Sequence, residues 1–192
     1  MANLMTFNPF QPSSSVGFTN SESISPGESI MPRYNTGTGA ALVSQQLALT
    51  YFTAQKTEIV NTIYTFTAAT AAGATPTFCG MAIYSAAPSG ALLSLLGQSP
   101  NDTSLWSAGF HQYPEPINTP FVKIAGQRYA AAVLIVTAAA LPVLRGYSGT
   151  VVDQQSSPAI SMTLAGQSSF PASVPVGSLS ISSNVYYFGI TP

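Results

Sequence analysis

A single histidine, His111, sits between Phe110 and Gln112, with Trp106 five residues before it and Tyr113 two after. A Ser-His-Asp centre needs a carboxylate on one imidazole nitrogen and an activated hydroxyl on the other. The only aspartates are Asp102 and Asp153, and no Gly-x-Ser-x-Gly elbow is present to expose a serine. One cysteine and one histidine cannot build a zinc site, and Cys79 lies in an apolar run where a small core residue is expected. The carboxylates number six: Glu22, Glu28, Glu58, Asp102, Glu115 and Asp153. Calcium would need them clustered, and glycoside hydrolysis would need two facing each other across the scissile bond. They are dispersed instead. These residues predict no catalytic centre, no metal and no cofactor.

Aromatic side chains are the better clue to contact chemistry. Trp106, Phe110, His111, Tyr113 and Tyr147 fall in or beside loops. An exposed ring can cover the apolar face of a sugar while Asn, Gln and Asp fix its hydroxyls, so these five form the candidate glycan- or partner-contact set. The same rings also suit a sandwich core or a subunit interface, where aromatics dominate burial. The sequence favours that second use.

Composition narrows the partners. Charged residues make up 6% of the 192, against roughly 25% in an average globular chain, while hydrophobic residues reach 46%. A free monomer normally keeps a charged surface for solubility. A surface of Ser, Thr, Gln, Asn and small apolar residues suits burial against other subunits, which predicts assembly into a larger particle. Five Lys and Arg spread along the chain make no basic patch, so nucleic acid is not an expected partner. One cysteine allows no internal disulfide. The opening MANLMTFNPF has no basic region followed by an apolar one, so no secretory signal is read there. The apolar run 129–144 is 16 residues long, short of the roughly 20 of a spanning helix, and holds Thr137 and Pro142. Membrane insertion is not expected.

The elements that must position these groups are strands. The stretch 128–136, RYAAAVLIV, is apolar at both odd and even positions, the pattern of a strand covered on both faces. Further strands are predicted over 46–54, 58–69, 77–84, 91–96, 105–113, 159–164 and 184–190, rich in β-branched and aromatic residues and separated by Gly/Pro turns. Pro114 and Pro116 are expected to end the strand 105–113. The one helical turn expected lies near 138–140. About eight short strands predict an all-β, antiparallel β-sandwich, jelly-roll-like, over residues 36–192.

Residues 1–35 differ in kind. Asn8-Pro9-Phe10-Gln11-Pro12, Ser25-Pro26-Gly27 and Met31-Pro32 exclude a regular helix. Large apolar groups, Phe7, Phe10, Phe18, Ile24 and Ile30, are nonetheless scattered through the segment, more than a disordered tail would carry. They predict an extended N-terminal arm that docks onto a neighbouring subunit.

Several stretches also carry a likeness to a known family. Residues 60–68 resemble its early strand. Met81-Ala82-Ile83-Tyr84, a Ser-containing turn and Leu92-Leu93 are similar to its G-L-Y-x-x-x-G-x-L-L hairpin. Ala125-Gly126-Gln127-Arg128-Tyr129 within 121–134 is similar to its v-x-a-G-x-Y-y-v-a-l strand, and Phe170-Pro171-Ala172-Ser173 with 184–189 matches its closing segment. On these motifs, about four-fifths of the chain resembles the β-sandwich domain of bacteriophage minor tail and fibre proteins, especially those of actinobacterial phages. The resemblance implies a non-enzymatic virion structural protein, at the tail in preference to the capsid surface, homo-oligomeric with a trimer favoured, and contacting other virion proteins. It carries over no binding residues. A capsid decoration protein, or an adhesin that attaches to host-surface carbohydrate, are the alternative roles.

Overall fold

The structure, a computed structural model, describes residues 22–23, 27–31, 37, 39–69, 76–86, 91–148 and 159–192. In chain order its strands are β1 (Glu22–Ser23), β2 (Glu28–Ser29), β3 (Ala40–Ala41), β4 (Leu47–Thr53), β5 (Glu58–Phe66), β6 (Phe78–Ala86), β7 (Leu92–Gln98) and β8 (Gln112–Lys123). There follow β9 (Arg128–Val136), β10 (Val143–Leu144), β11 (Gly146–Ser148), β12 (Ser161–Leu164), β13 (Ser173–Pro175), β14 (Ser180–Ile181), β15 (Asn184–Tyr186) and β16 (Gly189–Thr191). They form a seven-stranded sheet, β13-β7-β6-β9-β4-β12-β14, and a five-stranded sheet, β1-β2-β16-β5-β8. Two short ribbons, β3 with β10 and β11 with β15, complete the set. The chain is all-β and antiparallel, a β-sandwich whose larger sheet curls.

β9 lies at the middle of the large sheet, between β6 and β4. Its odd residues Tyr129, Ala131, Val133 and Ile135 pack into one core with Val60, Ile63, Ile117 and Ile190 of the facing sheet and with Ile30 and Phe188 beside its strands. Its even residues Ala130, Ala132 and Leu134 pack into a second core with Tyr51, Tyr84, Phe170 and Val174. The two-sided apolar pattern in the sequence thus has its physical cause: one strand serves two cores.

The second core exists because the large sheet curls. β13 and β14 are its opposite edges, yet only a 3-10 turn, Val176–Ser178, and Leu179 separate them. Seven flat strands would hold their edges about 29 Å apart at a strand spacing of roughly 4.8 Å. Five residue steps reach about 18 Å at most. The sheet must therefore bend toward the side where Val176 and Leu179 lie, and it closes around the second core as a half-barrel. Ala82, Ala130 and Ala132 line that concave face, where larger side chains would crowd.

Four local expectations are corrected. Residues 105–111 are not strand; β8 begins at Gln112 and runs through Pro114, Pro116 and Pro120. Among the described residues it is an edge strand, paired with β5 alone, so prolines whose nitrogens face away from that partner cost no ladder bond. Residues 184–190 split: β15 pairs with β11, and the chain crosses at Tyr187-Phe188 before β16 pairs with β5. No helical turn forms at 138–140; the Thr137 hydroxyl accepts from the Ala139 N–H at 3.1 Å and makes a bend there. Finally, the described part of the arm belongs to the sandwich. β2 pairs with β16, and Ile30 is fully buried in the first core, its N–H donating to the Phe188 carbonyl at 2.8 Å. Ile30 is therefore a core residue of its own chain, not a docking residue. Phe7, Phe10, Phe18 and Ile24 lie outside the described residues.

Candidate functional site

The loop between β7 and β8 carries three of the five candidate contact residues, Tyr113 at the start of β8 adds a fourth, and the core fixes the loop from below. Asn101 anchors its start: its side-chain carbonyl accepts from the Cys79 N–H at 2.9 Å and its amide donates to the Thr77 carbonyl at 3.1 Å. Asp102 turns the chain by accepting from the Ser104 N–H and hydroxyl at 2.8 and 2.6 Å. It is a turn residue, with no bond to His111 among these contacts.

Trp106 follows, and it is fully buried in the first core. Its ring faces no ligand, which removes it from the contact set. It is the loop's anchor, held with a positive φ of 63° and with its indole N–H lacking a hydrogen-bond partner among the described residues. Tyr113 is half-buried against the same core, and its hydroxyl accepts from the Ala108 N–H at 2.5 Å. It braces the loop.

The far side of the loop is fixed by residues 67–69, which follow β5. The Thr67 hydroxyl donates to the Ala108 carbonyl at 2.6 Å and accepts from the His111 N–H at 3.1 Å. The Phe110 N–H donates to the Ala68 carbonyl at 2.8 Å. A side chain at Gly109 would meet the Ala69 carbonyl oxygen at 2.6 Å, so only glycine allows this approach.

The result at the tip is Phe110, 70% exposed, with φ of 54°. A left-handed backbone costs a bulky L-residue about 1–2 kcal/mol. The Arg145 guanidinium lies 5.6 Å from the Phe110 ring centroid, and Arg145 also donates to the Gly37 carbonyl at 3.1 Å. His111 is exposed and stands edge-to-face with Tyr113, centroids 5.0 Å apart. Tyr147 is 43% exposed on β11, two residues from Arg145 in an extended segment. The structure thus groups Phe110, His111 and Tyr113, adds Arg145, and takes Trp106 away.

A second constellation was not foreseen. Lys123, on β8, is 1% exposed. Its ammonium lies 2.8 Å from Glu28 Oε2, donates to the Lys56 carbonyl at 2.8 Å, and sits 3.0 Å from Glu58 Oε1. The Glu58 contact is an ion pair poorly aligned as a hydrogen bond. Glu28 is fully buried and accepts from the Gln55 N–H at 3.0 Å, while the Lys56 ammonium donates to the Gly27 carbonyl at 3.1 Å. Both lysines of the chain and two of its glutamates thereby clamp residues 27–28 to β5 and β8. The signal was present in the alternation: Lys123 shares the inward face of β8 with Ile117 and Phe121, where a cation requires a buried carboxylate.

Buried titratable groups elsewhere serve the core. Burial pushes the Cys79 thiol up, with Asp102 and Glu115 adding repulsion. Burial pushes the Tyr51 phenol up to about 12, against the pull of Arg128 stacked 5.1 Å from its ring. Glu115 is raised by burial first and by Asp102 second. Among the described residues no three His, Cys, Asp or Glu side chains converge as a metal site, and no helix is long and apolar enough to cross a membrane. Compared with known proteins, the chain matches no family model and no curated sequence.

Proposed function

We propose that the protein is a non-enzymatic structural subunit of a bacteriophage virion, a minor tail or tail-tip component that self-associates, a trimer being favoured, and contacts other virion proteins through its N-terminal arm. One observation carries the assembly part. Every charged side chain whose exposure is described, from Glu28, Lys56 and Glu58 to Asp102, Glu115, Lys123, Arg128 and Arg145, is buried or only partly exposed. The described exposed positions are mainly Ser, Thr, Asn, Gln, Pro, Gly and Ala, with His111 and apolar side chains such as Ile59, Val122 and Ile124 among them. Charged residues are depleted at the buried centres of protein interfaces, and a described surface with no fully exposed charge lacks the usual barrier to association. The phage assignment rests on the motif resemblance over 60–189. The described part of the arm joins the sandwich through β2 and the Lys123 clamp.

Immunogold labelling of virions produced by the encoding genome tests the proposal. Label at the tail is expected. Label over the head surface reassigns the subunit to capsid decoration, and unlabelled particles overturn the virion role.

A further inference from the structure

We infer that the Phe110–Arg145 platform is a binding site for an acidic carbohydrate chain, a function beyond assembly and independent of it. The loop is built to hold one exposed ring. It is pinned by Trp106 in the core, by Tyr113 on Ala108 and by Thr67 on both Ala108 and His111. All of this rigidity ends at Phe110, which takes a left-handed backbone and leaves 70% of its surface in water. Neither feature stabilises the sandwich: the backbone is strained, and the ring buries little. Strained residues persist where the surrounding structure enforces them, and they concentrate at ligand sites.

Arg145 supplies the chemistry of the ligand. It lies against one side of the ring and donates to the Gly37 carbonyl. Among the described residues its guanidinium meets no carboxylate. A cation stacked on an aromatic ring, with no carboxylate partner among the described residues, selects an anionic group beside an apolar face. A pyranose ring carrying a carboxylate offers both: its C–H face covers Phe110, and its carboxylate takes charge-assisted hydrogen bonds from Arg145. The His111 imidazole, next in sequence and exposed, provides a further polar contact for hydroxyls. The half-buried, hydrogen-bonded Arg145 is already ordered before binding, which lowers the entropy cost.

Affinity electrophoresis of the full chain tests this, with native gels containing polygalacturonate, dextran sulfate or neutral dextran. Wild-type protein is expected to be retarded by polygalacturonate and not by dextran. Phe110→Ala and Arg145→Gln should each weaken that retardation about tenfold or more, as interface anchors do. Phe110→Tyr should retain it, and Ile181→Ser, at an exposed position on β14, should behave as wild type. The Tyr variant keeps the test valid if truncation disturbs the loop. No retardation by polygalacturonate, or retardation undiminished in Phe110→Ala, overturns the site. Retardation by dextran sulfate that survives Phe110→Ala marks plain polyanion binding and overturns it as well. None of these failures touches the assembly role, which solution mass and particle labelling read separately.

Discussion

Replacing Lys123 by methionine removes the cation that joins the arm to the sandwich while nearly conserving volume, so the effect reports charge and not a cavity. Among the described residues Glu28 then stays fully buried with the Gln55 N–H, at 3.0 Å, as the hydrogen-bond donor left to its carboxylate. Glu58, at 18% side-chain exposure, can turn to water and loses less. Breaking a buried pair by removing one partner costs about 3–5 kcal/mol. That is a large part of the roughly 5–15 kcal/mol that holds a domain folded. For a chain of this size it lowers Tm by roughly 6–20 °C. Urea unfolding followed by tryptophan fluorescence is a direct assay, because the one tryptophan, Trp106, is fully buried. The double variant Lys123→Met/Glu28→Gln removes both charges and should recover most of the loss, with a coupling above about 2 kcal/mol in the cycle. Hydrogen exchange should show the amides of Ile30 and Gln55 opening first in the single variant. A single variant within about 1 kcal/mol of wild type, or a double variant no better than the single, would refute the assignment of this cluster as the arm's clamp.

Glu115→Gln should raise Tm at pH 7, because the ionised carboxylate is disfavoured by burial and by Asp102. A carboxyl raised in the folded state contributes most below its ordinary value and loses that contribution as pH rises, so the gain should vanish when melting is repeated below about pH 4. Tyr51 and Tyr186 are both pushed up to about 12, chiefly by burial. Their contribution is complete below pH 10 and is lost as pH rises toward 12, so a spectrophotometric titration should show late phenol ionisation coincident with alkaline unfolding. Trp106→Ala should cost about 3–5 kcal/mol in circular-dichroism melts, and Trp106→Phe distinctly less. The phenylalanine keeps much of the packing and removes an indole donor whose unpaired burial costs about 1–3 kcal/mol. Gly189→Ala should be among the most damaging small substitutions, because its added methyl would strike the Tyr64 ring that covers Gly189 across the strand pair.

The strands with strong alternation or two-sided burial were legible in the sequence: β4, β5, β6, β9 and β12 lie where their β-branched and aromatic runs place them. β9 was legible to the residue because each of its faces meets a separate core. β8 was not, because its prolines argue against a strand unless it is known to be an edge, and edges are a property of the whole sheet. The split of 184–190 into β15 and β16 was hidden for a related reason: Tyr187 and Phe188 have the propensity of a continuing strand, and only the positions of two sheets divide them. At the candidate site, Phe110, His111 and Tyr147 were found by residue type. Trp106 stood in the contact set although the sequence favoured a core or interface use for these rings, and the structure places it in the core; residue type alone does not say which way a side chain turns. Arg145 passed unnoticed because its partner, Phe110, is 35 residues away in sequence.

Light scattering on the purified full-length protein tests the central claim most directly. A subunit whose described surface carries no fully exposed charge should self-associate, giving a mass three times that of the 19.9 kDa chain across a range of dilution. A stable monomer at every concentration would contradict the account of this surface as one made to be covered by copies of itself.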